Sequence, residues 1–336
     1  MADGHSGEDK QHNPAGKTIK SSRTNNIFQQ DKQHIPTGQT KKSTRTNNTI
    51  PQDKQHNPAG QTTQSSRSNK KIQQDKQHKN KHKKMKIGLF IPCYVDALYP
   101  GVGVATYKLL TSLGLEVEYP ERQTCCGQPM GNAGFQQKAE RLVEDYDRLF
   151  APYDYVVAPS ASCAAYARIF HPGIAGHECE AAKRTMDVVE FLHDVVKVKS
   201  FPKSSFPHVV SIHNSCHGVR ELGLASPSER NVPQFNKIRD LLSLVPGITV
   251  CEPERKDECC GFGGMFSIEE PDVSIRMGRD KLARHIETGA EYITGPDSSC
   301  LMHMQGIVKK NPGTFKAANG KEIKFIHVVE ILASGL

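Results

Sequence analysis

The chain has 336 residues, 36% of them apolar, with 44 Lys and Arg against 36 Asp and Glu for a formal charge of +8. That length suits one large or two medium domains. No apolar run reaches the roughly 18–20 residues that span a bilayer, and the charged N-terminus lacks the apolar stretch of a secretory signal. The charge is uneven: residues 1–84 carry 17 Lys and Arg against 6 Asp and Glu, and the remainder 27 against 30. The basic balance belongs to the tail, so the body is not expected to bind nucleic acid. Ten cysteines without an export signal read as reduced thiols or metal ligands of a cytoplasmic protein.

Residues 1–84 are a tandem repeat, with Asp-Lys-Gln-His recurring at Asp9, Asp31, Asp53 and Asp75, a period of 22. A solenoid unit must bury an apolar stripe, but these units offer only isolated residues such as Ile19, Ile27, Phe28, Ile50 and Ile72. So few apolar groups cannot offset chain entropy, and the segment is expected to be a disordered basic tail. Met85-Lys86 directly precedes the first strand, which marks Met85 as an alternative start and the tail as dispensable for cofactor binding.

From Lys86 the pattern turns to strand–helix alternation. Lys86–Ile91 reads as a buried strand ending before Cys93; Val104–Leu113 reads as a helix stopped by Gly114; Leu115–Tyr119 alternates as a strand leading to Cys125-Cys126-Gly127. Phe135, Ala139, Leu142, Val143, Tyr146, Leu149 and Phe150 share a helix face, and the strand Tyr155–Ala158 leads to Cys163. The order then repeats. Val209–Ile212 leads to Cys216, a helix carries Ile238, Leu241, Leu242 and Val245, and Ile248–Val250 leads to Cys259-Cys260-Gly261. A further helix face holds Ile275, Gly278, Leu282, His285 and Ile286, and Glu291–Thr294 leads to Cys300. Even the ends agree, Asp187-Val-Val-Glu-Phe-Leu192 with His327-Val-Val-Glu-Ile-Leu332. Alternating strands and helices imply parallel sheets with right-handed crossovers. The expected fold is α/β, two duplicated Rossmann-like domains at 85–200 and 207–336 with mostly parallel sheets.

Eight cysteines form two sets of one design: Cys93, Cys125, Cys126 and Cys163, then Cys216, Cys259, Cys260 and Cys300. Adjacent Cα atoms lie about 3.8 Å apart, short of the roughly 4.4–6.8 Å of an unstrained disulfide, so two vicinal bridges in matching places are an improbable staple. Neighbouring thiolates suit an iron–sulfur cluster, where each can bind a different iron. Zinc also takes thiolates but favours a C-x₂₋₄-C spacing that is absent, and thiol redox or structural roles stay open. All the motif cysteines follow predicted strands, and ligands of parallel sheets bind beyond the strands' carboxyl ends. Gly127 and Gly261 let backbone N–H groups approach cluster sulfurs. His213 and His217, flanking Cys216, are candidates to tune or ligate a cluster. Cys179 and Cys251 read as ordinary thiols, and Arg220 as a partner for an anionic group or for a neighbour such as Glu221. Gly101-Val-Gly103 is a weak echo of a dinucleotide loop, with Thr106 at the third glycine position.

The motifs Cys125-Cys-Gly-Gln-Pro129, Cys259-Cys-Gly-Phe-Gly-Gly264 and His213-Asn-Ser-Cys-His-Gly218 resemble the CCG-domain (cysteine-rich domain) iron–sulfur proteins, and among them the lactate utilisation protein A family. The resemblance covers residues 85–336. It implies a cytoplasmic iron–sulfur subunit, with [4Fe-4S]-type cluster or clusters, of a complex oxidising L-lactate to pyruvate with a ferredoxin-like B subunit and a C subunit. Glycolate oxidase and heterodisulfide reductase contain related domains and supply the alternative function; a zinc-stabilised binding module without redox activity is another. The superfamily pattern is often C…CCG…CxxC, whereas Ser160-Ala-Ser-Cys163 and Asp297-Ser-Ser-Cys300 keep only the last cysteine. That puts a five-thiolate cluster in doubt and leaves Asp297 as an oxygen donor or, by its position, a helix cap.

Overall fold

Eight short strands form two four-stranded sheets in this computed structural model, which describes residues 85–336. The repeat tail and the disorder expected of it lie outside the described residues. Strands β1 (Lys86–Leu89), β2 (Glu116–Glu118), β3 (Tyr155–Ala158) and β4 (Thr185–Asp187) pair in the order β2-β1-β3-β4, all parallel. Strands β5 (Val209–Ile212), β6 (Thr249–Cys251), β7 (Tyr292–Gly295) and β8 (Lys324–His327) repeat it as β6-β5-β7-β8. The registers match too: Ile87 lies opposite Val117 and Tyr155, as Val210 lies opposite Val250 and Tyr292. The inner strands are short apolar runs buried on both faces, as parallel sheets between helices demand, whereas the edge strand β2 exposes Glu116 and Glu118.

The fourth strand of each sheet was not expected from the sequence. Thr185–Asp187 and Lys324–His327 carry little apolar signal; neighbours in the sheet define them, not their own propensity. Both end on a residue that caps the next helix. Asp187 Oδ1 accepts from the N–H of Val189 at 2.8 Å, and His327 Nδ1 accepts from Val329 at 3.3 Å while Glu330 accepts back from the His327 N–H. The matching Val-Val-Glu runs are thus the starts of two equivalent helices.

Two expected helix faces are corrected. Phe135 is exposed, because residues Gln136–Ala139 form a 3₁₀ turn and the helix proper is Glu140–Phe150. Ile275 is also exposed, because the helix Pro271–Glu287 buries Ser274, Gly278, Lys281 and His285 along with Leu282. That row is rotated from the most apolar one. The helix Pro100–Ser112 begins before Val104 and contains Gly101 and Gly103, so the glycine pair forms no phosphate-binding loop.

One hydrophobic core joins the two sheets. It takes Leu89, Val102, Leu109, Leu110, Val188 and Leu192 from the first half and Ile212, Leu224, Ile238, Leu242, Val328 and Leu332 from the second. The packing is exchanged. The last helix, Val328–Leu332, lies on Pro100–Ser112 of the first half, and Val188–Glu190 lies on Lys237–Leu242 of the second. Two smaller clusters sit on the outer faces, one around Phe90, Val143, Tyr146 and Phe150 and one around Leu282, Ile293, Met304 and Val308. Among the described residues no helix is long and apolar enough to cross a membrane.

A polar contact closes the same junction. Asp297, 1% exposed, makes no cap bond to its own helix, Ser298–Lys310. Its Oδ1 instead accepts from Ser160 Oγ at 2.9 Å and from the N–H of Ser162 at 3.0 Å, at the start of helix Ala161–Ala175 in the other half. The expected cap of the following helix is therefore absent, because the carboxylate is taken by donors of the opposite half. Asp297→Ala is expected to destabilise the protein by roughly 1–3 kcal/mol, the cost of an unmet buried donor, while Asp297→Asn keeps the acceptor and loses less; urea unfolding midpoints check this. Leu110→Ala, in the shared core, is expected to cost about 2–5 kcal/mol and to unfold both halves in one transition. Two separate transitions by near-UV and far-UV signals would contradict the shared core.

Candidate metal centres

The strand order decides where the cysteines go. Cys93 and Cys216 are the first residues of the helices that follow β1 and β5. Cys163 and Cys300 are the third residues of the helices that follow β3 and β7. The pairs Cys125-Cys126 and Cys259-Cys260 lie in the loops after β2 and β6. In each sheet these three strands are neighbours and parallel, so their carboxyl ends bring four thiols to one place. Four of the eight motif cysteines therefore sit in the first turn of a helix.

All ten cysteines are free. In the first set Cys93 Sγ lies 3.7 Å from Cys125 Sγ, and Cys125 accepts from the Gly127 N–H at 3.5 Å. Thiol hydrogen bonds from Cys126 and Cys93, with that N–H behind them, hold Cys125 down to about 3. Cys126, which also bonds Cys163, is pushed well up by its bond to Cys125 and by burial. The second set copies this. Cys259 accepts from Cys216, Cys260 and the Gly261 N–H, the last at 3.4 Å, and is held down to about 2. Cys260, hydrogen-bonded to Cys259 and Cys300, is pushed well up. Four soft donors gathered without a disulfide, one of them already a thiolate, form a donor set that fits an iron–sulfur cluster or zinc.

The glycines after each pair are structural requirements. Gly127 has φ +91° and Gly261 φ +88°, left-handed conformations that turn the backbone N–H onto the preceding sulfur. A Cβ at Gly261 would lie 2.5 Å from the Ser274 carbonyl oxygen, and one at Gly127 2.9 Å from Ala139 Cβ.

His213 is fully buried, and neither ring nitrogen has a hydrogen-bond partner among the described residues. Its ligating atom and the sulfurs of Cys260 and Cys300 lie within 4.8 Å of one another. Burial, with help from the Lys281 charge, pushes His213 down to about 3 and keeps the imidazole neutral. His217 goes elsewhere: its Nε2 is 3.3 Å from Gln128 Nε2 of the first half. The equivalent contact is between Tyr94 and Phe262, ring centroids 5.9 Å apart. In both copies the residue after the lone cysteine meets the residue after the other half's Cys-Cys-Gly.

Residues that sequence reasoning did not single out complete the surroundings. Lys281 is buried, its ammonium donating to the carbonyls of Arg255 at 3.0 Å and Lys256 at 3.1 Å. Desolvation brings it down to about 8 although the thiols of Cys260 and Cys216 oppose this. Nothing in a helical Arg-Asp-Lys signals a buried cation. Arg220 pairs with Glu229 and Asp257, not with Glu221, and ties down the loop that leads to Cys259. Cys179 is core and Cys251 donates to the Val210 carbonyl, so both stand outside the sets. Ser160 and Asp297, which replace the extra cysteine of a CxxC, bond each other across the junction. Asp297 keeps its other oxygen, Oδ2, buried and without a hydrogen-bond partner among the described residues.

A cavity of about 190 Å³ opens beside the first set. Cys93, Cys125, Cys126 and Cys163 line it on one side, and Phe262, Met265, Ile268, Ser298 and Ser299 of the second half on the other. Among the described residues its lining is mainly apolar and includes no Arg, Lys or His.

The cysteine-rich domain family, CCG, matches residues 87–166 and again 210–305, which hold the first three strands of each sheet and all eight motif cysteines. Lactate utilization protein A of Bacillus thuringiensis (strain Al Hakam) is 37% identical over 256 residues, covering 74% of this chain and 99% of that protein. The protein of the same name from Bacillus cereus (strain AH187) matches to the same extent. Among solved structures, a putative Asp/Glu racemase from Yersinia pestis aligns over 74% of this chain and 96% of its own at 12% identity, with a TM-score of 0.31, too loose to carry an argument. By the paired domain matches and the near full-length relatives, this chain belongs to the lactate utilization protein A family of CCG cysteine-rich domain proteins.

Proposed function

We propose that this chain is the iron–sulfur electron-transfer subunit of a cytoplasmic system that oxidises L-lactate to pyruvate. One observation carries the reading: the same fold places four free thiols together twice, at the carboxyl ends of two parallel sheets that share a core. Cys93, Cys125, Cys126 and Cys163 would hold one centre and Cys216, Cys259, Cys260 and Cys300 the other. When bound, clusters of the [4Fe-4S] type supply one-electron carriers whose potential follows from charge, hydrogen bonds to sulfur and exposure.

The chain's own residues set those terms differently in the two halves. Cys93 is exposed, whereas Cys216 is half-buried, which suits the first centre to exchange electrons with a partner. The Gly127 and Gly261 N–H groups donate to sulfur in both sets. Gln128 and His217 touch across the junction, one next to Gly127 and the other next to Cys216, and so form a short bonded route between the sets. Among the described residues, the cavity at the first set has neither a cation to hold a carboxylate nor a histidine to act as base. Chemistry on lactate is accordingly assigned to partners, a ferredoxin-like B subunit and a C subunit, and not to this chain alone.

The second reading is a zinc module without redox activity, favoured by the grouping of an imidazole with Cys260 and Cys300, a common zinc donor set. Iron, zinc and acid-labile sulfide per chain in anaerobically purified protein separate the two. Iron with matching sulfide and a brown colour is expected; zinc without sulfide would end the electron-transfer reading. Cys126→Ser and Cys260→Ser are each expected to remove one centre and leave about half of the bound iron, since ligand loss abolishes metal-coupled assembly locally. Gly261→Ala, strained at its positive φ, is expected to speed iron loss to a chelator from the second centre roughly 10–100-fold, the effect typical of outer-shell changes. The first centre's rate should stay as in the unmodified chain.

A further inference from the structure

The two halves differ at a buried position that follows the central strand of each sheet. In strand alignment Lys86–Leu89 matches Val209–Ile212 and Cys93 matches Cys216, so Phe90 occupies the place of His213. Both are fully buried, and both lie one residue past the end of a central strand. Phe90 packs edge-on against Tyr146 and Phe150, with ring centroids 5.1 and 5.8 Å away. A hydrocarbon ring therefore satisfies the fold there. His213 fills the equivalent place with a ring whose two nitrogens have no hydrogen-bond partner among the described residues. Its backbone is fixed, the N–H donating to the Thr294 carbonyl at 2.7 Å. Gly295 makes room for it: a Cβ there would lie 2.8 Å from the His213 carbonyl oxygen.

We infer that His213 is a metal ligand, so that the second centre is a mixed imidazole–thiolate site while the first is thiolate alone. The ligand atoms of His213, Cys260 and Cys300 lie within 4.8 Å of one another, a span that one metal atom, or two adjacent irons of a cluster, bridges with bonds of about 2.0–2.3 Å. Buried polar atoms are almost always partnered, and a metal at Cys260 and Cys300 would partner one of the two nitrogens this ring leaves free. His285 does not supply it: its Nδ1 is engaged by Ser211 Oγ at 2.7 Å, and its ring centroid stands 6.1 Å from that of His213. A neutral imidazole in place of a thiolate leaves the centre less negative, and histidine ligation raises the potential of iron–sulfur centres. If the bound group is an iron–sulfur cluster, His213 would make the second centre the better electron acceptor of the two. This inference rests on the reading that the second thiol set binds metal, but not on which metal.

The test is X-ray absorption at the edge of whichever metal the full-length protein holds, in the unmodified chain and in the His213→Phe and His217→Phe variants. Phe at 213 copies the residue that the first half already accommodates. Imidazole scattering in the unmodified protein, lost in His213→Phe and kept in His217→Phe, is the expected result. Iron with sulfur scattering alone would overturn the ligand and leave the electron-transfer reading standing. Zinc with imidazole scattering would keep the ligand and end that reading. Scattering that survives His213→Phe, or a second set that binds no metal, also overturns the inference. If His213→Phe fails to fold, the unmodified and His217→Phe spectra still decide, because imidazole scattering absent from the former or lost in the latter rules His213 out.

Discussion

The shared core between the sheets is the constraint on which the rest depends. Leu110 and Leu192 of the first half and Ile212, Leu242 and Leu332 of the second are buried in one cluster that both halves build. The exchange of terminal helices makes each half complete the other. Burial of this kind is cooperative, and it fixes the loops at the carboxyl ends of the two sheets relative to each other. Asp297 adds direction to an otherwise oily contact, since its carboxylate must meet Ser160 and the Ser162 N–H. A buried carboxylate left without those donors would be costly, so the contact specifies one arrangement of the halves.

From that arrangement the site chemistry follows. Thiols are poor donors when protonated, and metal binding needs them ionised. In each set the fold supplies one sulfur that is already the acceptor of its neighbours' protons, Cys125 or Cys259, and backs it with a glycine N–H. The remaining thiols sit beside it, three of the four motif positions being half-buried or buried in the first set and all of them in the second. Duplication made the two scaffolds alike, and divergence at Phe90 and His213, Tyr94 and His217, and Gln128 and Phe262 made their surroundings different.

Much was legible in the chain itself. The apolar runs at Tyr155–Ala158 and Val209–Ile212 fall on the observed strands residue for residue, because buried parallel strands leave an unbroken apolar signature. The spacing of Cys93, Cys125, Cys126 and Cys163, repeated from Cys216 to Cys300, exposed the duplication and the donor set, since a one-residue change would move a thiol off its loop. The parallel topology followed from strands and helices in alternation. The paired Cys-Cys-Gly motifs were enough to recognise the family.

Other features arise only when distant segments meet. Strands β4 and β8 have too few apolar residues to announce themselves and exist because β3 and β7 offer free edges. The roles of Asp297, Gln128 and Lys281 rest on partners 137, 89 and 26 residues away, separations over which no local pattern speaks. His213 and His217 look equivalent in the sequence, two histidines around one cysteine. Only the packed structure sets one beside Cys260 and Cys300 and sends the other across the junction, because residues of a strand end and of a helix start leave the backbone in different directions. Local order was therefore written in the periodicity of the chain, while the asymmetry of the two centres was decided by which buried atoms tertiary packing left without a partner.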